Sequence, residues 1–282
     1  MTSATLEMPS QVPTLVIRPP RKWVPVDLHE LWQSRELLYF FVWRDVKIRY
    51  KQTGLGVAWA VIQPLFTMLI FSVFFGGLAK IPSDGLPYPL FALSALLPWI
   101  LFSEGMTRST TSMVTNASIM TKVYFPRLLM PIAGILSPVV DFLVAVVLLV
   151  LMMAFYGFVP TINVLFLPVF VLLALATSLG VGLWLSALNV QYRDFQYTVP
   201  FLIQIWMFAS PVVYSTSLVP AQYQLLYGLN PMAGVIEGFR WALLGTAPPS
   251  GVIGLSVLVV LALLVSGAFY FKKMEQYFAD IV

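Results

Sequence analysis

The chain is a series of long uncharged apolar runs separated by shorter polar segments. The first run, residues 57–79, comes shortly after the basic segment Arg44-Asp45-Val46-Lys47-Ile48-Arg49-Tyr50-Lys51. About 20 helical residues, each rising roughly 1.5 Å, cross the hydrocarbon core of a bilayer, so this run predicts a transmembrane helix. The pattern as a whole predicts spans at residues 57–79, 86–102, 129–155, 164–188, 199–216 and 252–271.

The polar segments between the runs predict how the spans are connected. Residues 80–89 and 156–160 are short and rich in proline and glycine, which predicts external turns. Residues 103–128 carry charges among many serines, threonines and asparagines, which predicts a cytoplasmic coupling loop with a short helix near residues 112–123. Within the fifth run, Ser210-Pro211 predicts a kink.

The segment 218–245 does not fit a simple span, because prolines, glycines and a pair of charges interrupt its apolar residues. We interpret it as a re-entrant external hairpin. Parity supports this interpretation, since only an even number of crossings returns the basic pair Lys272-Lys273 to the side of the first basic segment. Residues 272–282 are then a cytoplasmic C-terminus.

The residues before the first span predict a tail and a helix. Residues 1–26 are rich in proline and lack an apolar run of signal-peptide length, which is typical of an extended tail. Asp27 and Glu30 have the spacing of a capping box, so a helix is expected to start there. Residues 27–52 combine charges with large apolar side chains and predict an amphipathic helix in the membrane interface.

Composition places the chain among polytopic membrane proteins. Of its 282 residues, 59% are hydrophobic and 10% are charged, which leaves too little polar surface for a soluble globule of this size. All of the 16 lysines and arginines except Lys80 and Arg240 fall in segments assigned to the cytoplasm. The prediction is therefore an all-α protein with six transmembrane helices, an N-terminal interface helix, a re-entrant external hairpin and both termini in the cytoplasm.

Several kinds of chemistry are excluded or disfavoured. The chain has no cysteine, a single histidine, His29, and no G-x-x-x-x-G-K-[ST] segment, so neither a metal site nor ATP hydrolysis by this chain is expected. The net charge of +4 does not indicate a nucleic-acid partner, because the cations gather beside the membrane, where anionic lipid attracts them. Gly180-Val181-Gly182, inside a span, predicts close helix packing and not a cofactor site.

Charges inside the apolar runs are candidate functional residues, because a charge in hydrocarbon costs at least about 2.5 kcal/mol. Asp141 lies in the third span with no basic residue in the other spans to pair with it. Proton coupling is possible in principle, but the pattern favours a buried, hydrogen-bonded structural aspartate. Glu237 and Arg240 are three residues apart and share a helix face if residues 232–244 are helical. They form either a mutually satisfied structural pair or an external gate.

The order of these features resembles the membrane subunits of bacterial ABC exporters for lipid-linked polysaccharides, which move O-antigen, capsular polysaccharide or teichoic acid. The resemblance covers residues 31–282. It rests on the following segments: Arg44 to Gly56 with Trp59 and Gln63-Pro64, Tyr192-Arg193-Asp194-Phe195, Asn230-Pro231-Met232, and Phe271-Lys272-Lys273-Met274-Glu275.

The resemblance implies a homodimer in the bacterial inner membrane, with two copies of a separate ATPase and a continuous channel for the glycan. ATP and magnesium then belong to the ATPase, and this chain holds no cofactor. The alternatives are export of capsular polysaccharide or teichoic acid by the same mechanism and, from another class, secondary transport. A secondary transporter is expected to show an internal repeat, and the sequence has none that we recognise.

Two sets of residues follow as expectations. The residues expected to couple the chain to the ATPase are Arg44, Asp45, Lys122, Arg193 and Asp194. Aromatic rings stack on sugar rings, and the aromatics expected near the channel mouths are Tyr39, Trp43, Trp59, Trp99 and Phe102. Aromatic side chains also form interfacial belts and pack spans, so each of them has a structural alternative.

Overall fold

The computed structural model describes residues 28–51, 56–249, 251 and 253–278. The predicted tail, the capping residue Asp27 and residues 279–282 lie outside the described residues. Within the described ranges the chain is helical and contains no strand. The helices are α1 (Leu28–Gln33), α2 (Arg35–Lys51), α3 (Ala58–Phe71), α4 (Tyr88–Thr115), α5 (Ala117–Met120), α6 (Leu129–Leu136), α7 (Pro138–Phe155), α8 (Leu167–Gln191), α9 (Phe195–Phe208), α10 (Gln224–Gly228), α11 (Pro231–Leu244) and α12 (Ile253–Glu275).

Five helical stretches are long and apolar enough to cross a membrane, which confirms an all-α polytopic protein. They are Ala58–Leu78, Tyr88–Thr115, Leu129–Phe155, Ile162–Gln191 and Ile253–Glu275. The first includes a π-helix, Ser72–Leu78, and the third joins α6 to α7 across Ser137. The predicted number of six spans is not confirmed, because α9 has only 14 residues.

The bundle has two ends, which we call the α2 end and the Asp84 end. The α2 end holds α2, α5 and the last turns of α4, α8 and α12, and Arg127 there donates to the carbonyl of Glu275 at 2.6 Å. The Asp84 end holds the turn at residues 79–87 together with α10 and α11. Because α8 finishes at the α2 end and α12 starts at the Asp84 end, α9 carries the chain from one end to the other.

Helix α4 is the centre of the bundle. In its most apolar stretch 78% of the residues are buried, against 17% in α3 and in α12. It packs against α3, α6, α7, α8, α9 and α11. Gly180 of α8 confirms the predicted close packing, since a Cβ there would lie 2.9 Å from the backbone of Leu263 in α12. The exposed outer helices are apolar, as expected of surfaces that meet lipid.

Local signals set the limits of α11. The side chain of Asn230 caps its first turn by accepting from the amide of Met232 at 3.1 Å, and Pro231 occupies the first helical position. Gly245 ends the helix with a φ of +67°, which glycine adopts without strain. Glu237 and Arg240 therefore do stand on one helix, and this helix lies buried against α4, α8 and α12.

Three predicted boundaries differ from the structure. Helix α4 continues to Thr115, so residues 103–115 are helical, and the short helix of the loop is α5 alone. Helix α9 ends at Phe208 and does not continue through a kink at Ser210-Pro211. The apolar run ended too early in α4, because this helix buries small polar side chains such as Ser109 and Thr110 against its neighbours.

Helix α2 also departs from a simple amphipathic pattern. Phe41 is buried and contacts Phe125 of the loop, with ring centroids 5.3 Å apart. Tyr39, Phe40 and Trp43 lie on the other side of the helix and are exposed. The helix therefore presents apolar side chains on two faces, one to the bundle and one outward, as suits a helix held between protein and lipid.

Candidate functional site

Four charged side chains and one tyrosine from three helices meet at the α2 end and form what we call the ionic cluster: Arg49, Tyr50, Glu104, Arg108 and Asp141. Arg49 Nη1 and the hydroxyl of Tyr50 both donate to the carboxylate of Asp141. Glu104 Oε2 lies 3.8 Å from Arg49 Nη2 and 3.3 Å from Arg108 Nε. The cluster therefore ties α2 to α4 and to α7.

Each member reaches the cluster for a local reason. Arg49 and Tyr50 occupy the last turn of α2, and Asp141 occupies the first turn of α7, where the helix dipole favours a negative charge. Glu104 and Arg108 are four residues apart and so share one face of α4. The sequence analysis looked for a basic partner of Asp141 in the other spans, whereas the structure pairs Asp141 with Arg49 of α2.

The surroundings of Tyr50 favour the neutral form of its hydroxyl. The Asp141 side chain is 14% exposed, and it receives one charged and one neutral donor. Burial, and then the hydrogen bond to Asp141, raise the pKa of Tyr50 from 10.0 to about 12. Tyr50 thus remains a donor throughout the physiological range of pH.

A cleft of about 460 Å³ lies beside the ionic cluster. Its lining includes Arg44, Arg49 and Arg108 together with Thr111 and Asn116. Each of the three arginines already has a carboxylate within 4 Å, in Asp45, Asp141 and Glu104 respectively. The cleft is therefore electrostatically balanced and does not favour an anion.

The structure places the predicted coupling residues at the α2 end. Lys122 follows α5, and Arg193 and Asp194 connect α8 to α9; all three are exposed. Arg44 and Asp45 pair with each other at 2.8 Å on the surface of α2. The contact between Phe41 and Phe125 joins α2 to the loop. Adjacent residues on one helix pair locally because their side chains reach each other without help from another element.

The predicted channel aromatics divide into two groups. Tyr39, Trp43 and Trp59 are exposed at the α2 end. Trp99 and Phe102 are 3% and 0% exposed in the core of one chain, so in this structure they do not face a channel. Phe102 instead packs edge-on against Trp206, with centroids 5.0 Å apart. Their position on the central helix α4 explains the difference.

At the Asp84 end the predicted pairing of Glu237 with Arg240 is wrong. Arg240 is 4% exposed, and it donates to the carbonyls of Val212 at 3.1 Å and Tyr214 at 3.3 Å. Its guanidinium also lies over the ring of Phe91, 3.5 Å from the centroid. Residues 210–215 have no regular helix, so their carbonyls need donors, and Arg240 supplies two of them.

Glu237 instead faces a pocket of about 270 Å³, which we call the Asp84 pocket. The hydroxyls of Ser215 and Ser217 donate to Asp84 on its wall, the latter at 3.0 Å. Gln224, Tyr227 and Arg240 also line it. Among the residues that the structure describes, no three histidine or acidic side chains are grouped to hold a metal ion.

Sequence reasoning missed the residues that join distant segments at both ends. Asn230 accepts from Trp206 Nε1 at 2.9 Å and donates to the carbonyl of Ala209 at 3.0 Å, which fixes α11 to the end of α9. Tyr50 and Glu104 also join distant segments, at the α2 end. Asn230 and Tyr50 lie in segments that carry the family resemblance. No pattern in the sequence indicates that Glu104 or Asp84 contacts a distant group.

Comparison with known proteins gives a consistent result. The family described as ABC-2 type transporter matches residues 36–244, from α2 to the end of α11. The O-antigen export system permease protein RfbA of Myxococcus xanthus is 32% identical over 216 residues, 76% of this chain and 82% of that protein. An RfbA of the same description from Klebsiella pneumoniae is 26% identical over 248 residues, 88% of this chain and 95% of the relative. The polysialic acid transport protein KpsM of Escherichia coli is 25% identical over 202 residues, 71% and 78% of the two chains.

Proposed function

The chain belongs to the ABC-2 type transporter family, and we propose that it is the permease subunit of an ATP-driven exporter of lipid-linked polysaccharide, with O-antigen as its cargo. The observation that carries the proposal is the similarity to O-antigen export permeases over most of both chains. The polytopic helical bundle and the lack of a nucleotide-binding segment in the sequence suit a transport subunit that is not itself an enzyme.

A capsular polysaccharide is the second candidate cargo, and the similarity to a polysialic acid transport protein favours it specifically. Teichoic acid export would use the same architecture. Secondary transport is less well supported, because it requires paired broken helices related by a repeat.

ATP hydrolysis on two copies of a partner ATPase, with magnesium bound there, is part of the proposal. The partner docks on the α2 end, where α5, Lys122, Arg193 and Asp194 are exposed. Displacement of α2 by the ATPase then acts on α7 and α4 through the Arg49 contacts with Asp141 and Glu104. Arg49 lies in the last turn of α2, so a shift of that helix changes both contacts directly.

A second copy of the chain completes the channel in this proposal. The central helix α4 is buried within one subunit, so the glycan path runs between subunits and along their exposed helices. Tyr39, Trp43 and Trp59 are the aromatics available to it at the α2 end.

The proposed membrane is the bacterial inner membrane, with the α2 end in the cytoplasm and α9 as a short sixth crossing. The absence of cysteine makes the orientation testable by labelling. A cysteine in place of Ser118 should react with an impermeant thiol reagent only after permeabilisation, and one in place of Ser83 should react in intact spheroplasts. The reverse pattern would contradict the orientation.

Deletion of the gene tests the function. The deletion strain should lose surface O-antigen while the lipid-linked glycan accumulates on the cytoplasmic leaflet, and complementation should restore export. Mass spectrometry of the accumulated lipid identifies the cargo, and accumulation of capsular polymer would favour the second candidate. Unchanged surface O-antigen and capsule in the deletion strain would overturn the proposal.

A further inference from the structure

We propose that the Asp84 pocket is a binding site for a single neutral sugar residue of the exported chain. This inference rests on the proposed function and adds to it a place where the permease holds its cargo. The pocket lies between the Asp84 turn, residues 215–217, α10 and α11. It is separate from the ionic cluster, which lies at the opposite end of the bundle.

The hydrogen-bonding groups on the pocket wall require a ligand that both donates and accepts. Glu237 lines the pocket, is partly exposed, and has no hydrogen bond or ion pair with the residues that the structure describes. A carboxylate accepts only, so Glu237 calls for a donor. Gln224 also lines the pocket, and its side-chain amide both donates and accepts. A sugar hydroxyl can donate to Glu237 and accept from Gln224.

The charge of the pocket repels anions, and Arg240 counters part of the attraction that its carboxylates have for cations. Asp84 and Glu237 place two carboxylates on the wall, and Arg240, which interacts electrostatically with both, places one guanidinium there. A neutral polyhydroxylated ring is repelled by neither sign of charge, because it meets each charge with a hydroxyl dipole.

The size and the apolar part of the wall suit one ring. The volume of about 270 Å³ lies near the lower limit of ligand pockets, roughly 300 Å³, so the space takes a single ring and not a folded oligosaccharide. Val219, Ala233 and Ile253 supply apolar surface for the C–H faces of that ring.

A second cleft shares Tyr227 with this pocket and could receive the sugar residues next to the bound ring. It has a volume of about 490 Å³ and is lined by Trp206, Tyr223 and Tyr227. Tyr227 lines both spaces, and its hydroxyl donates to that of Tyr214 at 3.2 Å. Neighbouring sugar residues would thus meet aromatic faces next to the polar pocket.

Saturation-transfer NMR on the purified full chain in detergent tests the proposal with three probes, D-glucose, D-glucosamine and D-glucuronate. Glucose should bind best, because it alone carries no charge. The Glu237→Ala variant should weaken glucose binding about tenfold, the size expected for one hydrogen bond to a charged group. The matched control, Glu36→Ala, alters an exposed glutamate at the other end of the bundle and should leave binding unchanged.

Thermal unfolding distinguishes loss of binding from loss of the fold. Glu237 has no hydrogen-bond partner among the described residues, so the Glu237→Ala variant should keep the wild-type melting temperature. Preference for glucosamine or glucuronate, equal weakening by both variants, or no transfer to glucose at about 10 mM would overturn the proposal. Each of these results leaves the proposed function standing if the deletion strain loses surface glycan. Binding of glucose in a chain whose deletion leaves every surface glycan intact would instead count against the proposed function.

Discussion

The two ends of the bundle hold their charges in opposite ways. At the α2 end, carboxylates and guanidinium groups from α2, α4 and α7 neutralise one another, and the side chains are 14% to 32% exposed. At the Asp84 end, Arg240 is almost fully buried and is held by main-chain carbonyls, while Glu237 faces the Asp84 pocket without a described protein partner.

This difference separates a contact that can change from one that holds a segment in place. The distances in ion pairs between separate helices depend on the relative positions of those helices, so a shift of α2 alters these pairs directly. The bonds of Arg240 instead satisfy carbonyls of an irregular segment, and any movement leaves polar main-chain groups unpaired. The α2 end is therefore suited to receive motion, and the Asp84 end is suited to keep a fixed shape around a ligand.

The largest expected effect comes from Asp141→Ala, which removes the carboxylate that Arg49 and Tyr50 share. Loss of one partner from a mostly buried pair should lower the free energy of unfolding by about 3 kcal/mol. Thermal unfolding in detergent measures the change, with exposed Asp194→Ala as the control. A loss no larger than that of the control would show that the cluster does not stabilise the α2 end.

A smaller loss is expected from Arg240→Met, which keeps much of the side-chain volume but leaves the carbonyls of Val212 and Tyr214 without this donor. The cost should be about 2 kcal/mol, because the buried charge disappears together with its bonds. Exposed Arg35→Met is the matched control. If Arg240→Met proves more damaging than Asp141→Ala, the ranking of the two ends is reversed.

Alkaline pH should weaken the α2 end selectively. The pKa of Tyr50 is raised to about 12 in the folded chain, so its contribution to stability is complete below its usual value of 10.0 and is lost as pH rises towards 12. The melting-temperature difference between wild type and Tyr50→Phe should therefore be constant below about pH 10 and shrink above it. Tyr277→Phe, at an exposed position, should show no such trend; a pH-independent difference for Tyr50→Phe would contradict the assignment.

The smallest effect on stability should come from Arg44→Ala or Asp45→Ala, since this partly exposed pair joins neighbours on one helix. We expect a cost below about 1 kcal/mol. Export per ATP hydrolysed should nevertheless fall, if the coupling role proposed for the α2 end is right. Reconstituted vesicles with the partner ATPase give this ratio, and Glu36→Ala serves as control. Full coupling in both variants would remove Arg44 and Asp45 from that role.

Much of the fold could be predicted, whereas the partners of the charged residues could not. The uncharged runs located the five long spans. The cap at Asn230 and the left-handed Gly245, which set the limits of α11, were recognised only in the structure. The limits of α4 escaped prediction because its last turns bury hydroxyl groups, which a polarity pattern assigns to a loop. The segments around Arg49 and Asn230 were recognised, but the contacts they make were not.

The sequence by itself determined that this chain is a helical membrane protein with its cations gathered at one end. The length of each apolar run and the position of each charge can be taken directly from the order of the residues. Only the tertiary structure decided that Arg49 binds Asp141, that Arg240 binds carbonyls and not Glu237, and that Phe102 is buried. These outcomes depend on how helices rotate and tilt against one another. The partners of Asp141 lie 91 and 92 residues away in sequence, and no local pattern records such a distance.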